Sequence, residues 1–161
     1  MGAAHLYNRD HINTDEIIPA RYLITDDRAE LAKYCLEGLD PGFVKKIKKG
    51  DIIVAGEDFG CGSSREHAVW AIVGAGVQTV IAKSFARIFY RNAIDNGFYV
   101  IESPDALEKI SDGDEVKIDF KAGLIKNKTA GVDIKFNPLP DFALEIINDG
   151  GLLEHITKTY K

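Results

Sequence analysis

Hydrophobic and polar positions change rhythm twice along this chain. From residue 51 onward, short apolar runs alternate with longer stretches whose apolar residues recur at helical spacing. DIIVA (51–55) is an apolar run, GEDFGCGSSRE (56–66) is a Gly-rich turn, and SREHAVWAIVGA (64–75) is a nearly all-apolar helix closed by Gly76. QTVIA (78–82), SFARIFYRNAID (84–95) and FYVIE (98–102) continue as strand, helix and strand. Strands alternating with helices of this length predict βαβ units, a mostly parallel central sheet and flanking helices, which is an α/β fold. The rhythm then shortens to two: EVKIDF (115–120) and VDIKF (132–136) alternate apolar and polar residues, with KAG (121–123) as a turn between half-exposed antiparallel segments. DFALEIINDGGLLEHITK (141–158) reads as two short helices broken at Gly150–Gly151.

The first fifty residues are less regular and read as a mobile N-terminal segment. Asp27 followed by Glu30 marks a helix start and Gly38 a stop, with Leu31, Tyr34 and Cys35 on its buried face. PARYLITDD (19–27) has no period and reads as a loop.

Composition narrows the function classes. A chain of 161 residues, 45% apolar and 28% charged, fits one soluble domain with a proper core. The formal charge of −5 argues against a general polyanion binder, and the run KKIKK (45–49) reads as a solvated face rather than a nucleic-acid site. The run AVWAIVGAGV is too short to span a membrane, and MGAAHLYNRDHINTD carries no export pattern, so a cytoplasmic location is expected. His5, His11, His67 and His155 show no ligand spacing, and Cys35 and Cys61 are too few for a disulfide framework.

Chemistry can sit in the Gly-rich turn, because a turn that leaves a parallel strand and opens a helix presents free N–H groups and a positive dipole end. Familiar motifs fail there. Arg65 stands where a dinucleotide fingerprint needs its third glycine, Cys61 stands where a phosphate loop needs its second, and Ser63 lacks the flanking glycines of a hydrolase elbow. Two serines and an arginine remain. Arg65 suits a bidentate carboxylate clamp, and Ser63 or Ser64 lies where amides would stabilise an alkoxide. Ser63 with Glu66 also fits a capping box, so a purely structural role stays open.

DFGCGSSREHA (58–68), AKSFARIFYRNAIDNG (82–97) and NTDEIIPARYL (13–23), in that order, resemble the swivelling domain of the aconitase superfamily. Their spacing is similar to that of the separate small subunits of isopropylmalate isomerases. The resemblance implies a swivelling β/β/α domain over residues 1–161, with a mobile substrate loop at about 20–28. It implies a hydro-lyase, inactive alone, that interconverts 2- and 3-isopropylmalate in leucine synthesis. It further implies a large iron–sulfur partner subunit carrying a [4Fe–4S] cluster, and no cofactor or metal on this chain. By the same resemblance Ser63 is the base, while Ser64 and Arg65 hold its alkoxide and a substrate carboxylate. Two cysteines agree with a cluster held elsewhere, since a cubane takes three or four thiolates. Cys61 then reads as a packed or site-lining thiol.

The resemblance assigns substrate choice to the loop Tyr22, Leu23, Ile24 and Thr25. Homoaconitase-like chains place an arginine where Ile24 stands; an aliphatic side chain suits an isopropyl group and leaves a carboxylate unpaired. Thr25 is of the homoaconitase type. The rival readings are therefore the small subunits of homoaconitase and of 2,3-dimethylmalate dehydratase and, from another class, a non-catalytic anion-binding or regulatory module. Arg87 and Arg91, one turn apart, could meet a carboxylate or the partner chain, and Asp15 could orient the active loop. No nucleic acid or membrane partner is expected.

Overall fold

A computed structural model describes residues 1–160. Seven strands form one sheet in the order β4-β3-β2-β1-β5-β6-β7: β1 is Gly2–Tyr7, β2 Ile52–Ala55, β3 Thr79–Ala82, β4 Val100–Glu102, β5 Glu115–Asp119, β6 Leu124–Asn127 and β7 Val132–Lys135. The pairings among β1, β2, β3 and β4 are parallel, and those from β1 through β5 and β6 to β7 are antiparallel. The helices are α1 (Thr14–Ile17), α2 (Arg28–Ala32), α3 (Phe43–Lys46), α4 (Glu66–Gly74), α5 (Arg87–Asp95), α6 (Ala106–Lys109), α7 (Asp141–Asn148) and α8 (Leu152–Thr159).

The α/β reading from apolar rhythm holds. IIVA and TVIA are buried at every position, as expected of parallel strands covered on both faces. One apolar cluster joins Ile53, Val80 and Phe59 to α2, α4 and α5, and a second joins Ile52, Ile81, Val116 and Ile125 on the other face. Helix α4 buries Ala68, Val69, Ala71 and Ile72, and its small residues allow close packing on α2.

The N-terminus departs from the sequence reading. Residues Gly2–Tyr7 are not a mobile segment but the strand at the junction of the two half-sheets, parallel to β2 and antiparallel to β5. Local preference for extended backbone is weak in GAAHLY, and tertiary context supplies what is missing. Asp51 is the anchor: it accepts the Ala3 amide at 3.0 Å, His5 Nε2 at 2.8 Å and the Lys48 amide at 3.0 Å. Burial raises the Asp51 pKa, but those three hydrogen bonds outweigh it and hold the carboxyl below its usual range.

At residue 27 the expected helix start is present, with Asp27 accepting the Ala29 amide at 3.0 Å. The helix is shorter than the pattern suggested; after Ala32 the chain runs in successive turns toward Gly38, keeping Leu31 and Cys35 buried and Tyr34 half-buried. Strands β5 and β6 join through the expected turn at residues 120–123, and Gly150 and Gly151, both at positive φ, separate α7 from α8.

Candidate active site

The Gly-rich turn leaves the end of β2 and is gripped from two sides. On one side, the Phe59 amide donates to Ser84 O at 3.1 Å and the Ala86 amide to Phe59 O at 3.0 Å, tying the turn to the β3–α5 loop. Phe59 is buried edge-on against Phe85 and Phe89. Gly60, at φ +84°, lies so close to Phe89 that a Cβ there would run into its ring, so both the conformation and the space require glycine. On the other side, the Gly60 amide donates to Ile12 O at 2.8 Å and the Thr14 amide to Cys61 O at 2.8 Å. The buried Thr14 hydroxyl donates to Ser63 O at 2.9 Å. Helix α1 is itself fixed by a capping box in which Asn13 accepts the Glu16 amide and Glu16 accepts that of Asn13.

The result is a cleft of about 160 Å³ lined by Thr14, Gly62, Ser63, Ser64, Arg65 and residues at the start of α5. Ser63 and Ser64 are exposed and Arg65 is half-buried. Arg65 Nη1 lies 3.4 Å from Asp15 Oδ1, a long and weak pairing that leaves the guanidinium free to meet a carboxylate. Asp15 also accepts the Ala20 amide at 3.2 Å, so the orienting role suggested for it has a geometric basis.

The capping reading of Ser63 fails. Helix α4 begins at Glu66 with Arg65 in the cap position, and no side chain caps it. Ser63 stands two residues further upstream, and its carbonyl, not its hydroxyl, is the group engaged by Thr14. The Ala68 amide donates to Arg65 O at 3.3 Å, while no side chain caps the amides of Glu66 and His67, so the positive end of α4 is only partly satisfied.

Of the residues singled out in the sequence, Ser63, Ser64 and Arg65 come together here. Arg87 joins them on the cleft wall, whereas Arg91 is not among the lining residues. Two polar side chains that sequence reasoning did not single out also face the cleft: Thr14, the middle residue of the NTD motif, and Asn92, about one and a half turns along α5 from Arg87. The apolar–polar alternation of α5 marked the exposed side on which Asn92 sits, but nothing in the sequence separated it from its neighbours.

The Tyr22–Thr25 loop lines a different cavity, of about 180 Å³, with Tyr22, Ile24 and Thr25 facing Glu30, Leu31 and Tyr34. Tyr22 stacks on Tyr34 at 3.7 Å between ring centres, and Leu23 packs on the core. Ile24 is 93% exposed. The Thr25 hydroxyl accepts the Asp27 amide at 3.1 Å, a local turn contact that accounts for a hydroxyl at this position. His67 leans on this region through Asp26 Oδ1 at 3.2 Å and lies over Trp70, so it has structural partners.

Known proteins resemble this chain closely. The aconitase C-terminal domain family matches residues 41–106. A 3-isopropylmalate dehydratase small subunit 2 from Deinococcus radiodurans is 56% identical over 156 residues, 97% of this chain and 75% of that protein. A 3-isopropylmalate dehydratase small subunit from Caldicellulosiruptor saccharolyticus is 58% identical over 155 residues, 96% of this chain and 89% of the relative. The crystal structure of a 3-isopropylmalate dehydratase from Methanocaldococcus jannaschii superimposes with a TM-score of 0.93 at 48% identity, covering 98% of this chain and 93% of the other. Identity of this order over nearly the whole length extends through the turn and the helices that hold it, and the chain belongs to the family of 3-isopropylmalate dehydratase small subunits.

Proposed function

We propose that this chain works with a large subunit as a hydro-lyase interconverting 2- and 3-isopropylmalate by loss and re-addition of water, with Ser63 as the base. The observation that carries the assignment to Ser63 is its side chain: exposed in the cleft, not used as a helix cap, and lining that cleft together with Ser64 and Arg65. A serine hydroxyl is a very weak acid, so a serine base needs its alkoxide stabilised by fixed donors where water is excluded. In this reading Ser64 supplies one of those donors and Arg65 binds a substrate carboxylate in bidentate fashion.

The two cysteines of this chain do not fit an iron–sulfur cubane. Cys35 is fully buried, its thiol pushed far above its usual pKa by desolvation, and Cys61 alone cannot replace the missing thiolates. A [4Fe–4S] cluster therefore belongs, in this reading, to the large subunit that the name of the relatives implies. Closure of the site against that subunit would supply the exclusion of water that an exposed cleft lacks.

Reconstitution with the large subunit from the same genome tests the reading. Ser63→Ala should lower kcat by ~10²–10⁴, the usual worth of a general base. Its melting point should stay that of the parent, because no helix cap is lost. Near-normal turnover would remove Ser63 from the chemistry.

The loop from Tyr22 to Thr25 is the proposed reader of the variable substituent. The exposure of Ile24 suits a side chain waiting for substrate and partner, and the local turn bond of Thr25 weakens its value as a homoaconitase mark. Ile24→Arg should lower kcat/KM for isopropylmalate and raise it for an acid bearing an extra carboxylate, by giving that carboxylate a partner. Unchanged ratios would place the choice of substrate elsewhere.

A further inference from the structure

The four histidines and two cysteines show no ligand spacing along the chain, yet the fold gathers one of each with a carboxylate. His11 Nδ1, a carboxylate oxygen of Asp58 and Cys61 Sγ all lie within 4.8 Å of one another, with His11 Nδ1 3.0 Å from Asp58 Oδ2. The three come from two segments zipped together by the bonds His11 N–Glu57 O (2.8 Å), Gly56 N–Arg9 O (3.1 Å) and Gly60 N–Ile12 O (2.8 Å). The cluster is thus mounted on a hydrogen-bonded frame, not scattered over loose loops.

Backbone conformation is compatible with this grouping. Only three non-glycine residues among those described adopt positive φ, and two of them are His11 and Asp58, both at +56°. Left-handed backbone is uncommon for side chains other than Asn, Asp and His, and it clusters at ligand clamps and switch regions. Both side chains nevertheless place a ligand atom within 4.8 Å of Cys61 Sγ.

We propose that His11, Asp58 and Cys61 form a binding site for a divalent transition metal of the zinc class, separate from any cluster on the partner. Imidazole, thiolate and carboxylate together select borderline-soft cations over magnesium or calcium. Three protein ligands around a tetrahedral ion leave one open position for water. Bonds of ~2.0–2.3 Å set ligand–ligand edges of roughly 3.3–3.8 Å, so closing the site asks for shifts of about 1 Å, within reach of rotation of the exposed His11. On binding, the Cys61 thiol proton leaves to solvent and neutral His11 takes the Nε2–H tautomer, freeing Nδ1 for the ion. Without an ion, burial and the neighbouring Asp58 carboxylate hold the Cys61 thiol above its usual pKa, so it stays protonated. An ion here would pin the segment ahead of α1 to the turn two residues before Ser63.

The test needs only this chain. Titrated anaerobically with cobalt(II), it should take up one equivalent with tetrahedral visible bands and a near-ultraviolet thiolate-to-cobalt band, and zinc should displace the cobalt. Cys61→Ser should abolish the thiolate band. His11→Asn and Asp58→Asn, which tolerate the left-handed backbone, should each weaken binding by at least ~10-fold. Circular dichroism confirms that each variant is folded. Absence of the thiolate band in the parent chain, or a band unchanged in His11→Asn, overturns the proposal.

Discussion

The two halves of the sheet are built on different terms. In the parallel half every residue of β2 and β3 is buried, the connections are helices, and the irregular backbone collects at one end, where the turn after β2 meets the loop after β3. In the antiparallel half β5 alternates exposed and buried residues, the connections are short turns, and one face packs while the other meets solvent. Strands buried on both faces leave only their ends for function, and the dipoles of the helices that follow aim at those ends. The cavities beside the antiparallel half are lined by residues such as Pro104, Gly123, Phe136 and Asn137, with no grouping of hydroxyl and guanidinium like that after β2. The parallel half carries the proposed site, and β1, paired to β2 on one side and β5 on the other, joins the two halves.

That division can be broken by trading stability against turnover. Ile125 is fully buried in the middle of β6, opposite Ile118 and Ile134. Ile125→Ala should cost about 2–5 kcal/mol of folding free energy by losing apolar contact and leaving a cavity. Turnover per folded, reconstituted molecule should remain that of the parent. Ser63→Ala should do the reverse, with full stability and little turnover. A large loss of kcat in folded Ile125→Ala would mean that the antiparallel half shapes the active geometry, and the division would fall.

The same contrast explains what the sequence disclosed. Continuous apolar runs such as IIVA and TVIA, and the 3.6-residue period of RIFYRNAID, report burial directly, so the parallel half was legible. Strand β1 was not, because GAAHLY owes its extension to Asp51 and to two neighbouring strands distant in sequence. At the site, Ser63, Ser64 and Arg65 were legible because they are consecutive and follow a recognisable turn. The capping role suggested for Ser63 was wrong by two residues, since spacing alone does not say where a helix begins. The grouping of His11 with Asp58 and Cys61 was hidden altogether, because it joins residues 47 positions apart in the chain. Thr14 lay inside a recognised motif, but its role depends on a contact across 49 residues.

Thr14 supplies the finest test of how the parallel half holds its chemistry. Its hydroxyl is buried and donates to Ser63 O, so it acts on the peptide that carries the proposed base without standing in for the base itself. Thr14→Val keeps the branched shape and removes the donor. The net worth of such a bond is about 1 kcal/mol, a drop of roughly 2–4 °C in melting point for a chain of this size. Turnover should respond more than stability, because a shift of the Ser63 peptide misplaces the hydroxyl relative to substrate. The expected outcome in the reconstituted complex is a kcat about 10-fold lower with KM little changed, and Thr14→Ser, which restores the donor, should recover most of the loss. A fall in melting point with unchanged kcat would reduce Thr14 to a packing residue. A loss that Thr14→Ser does not rescue would assign the effect to the missing methyl rather than to the hydrogen bond.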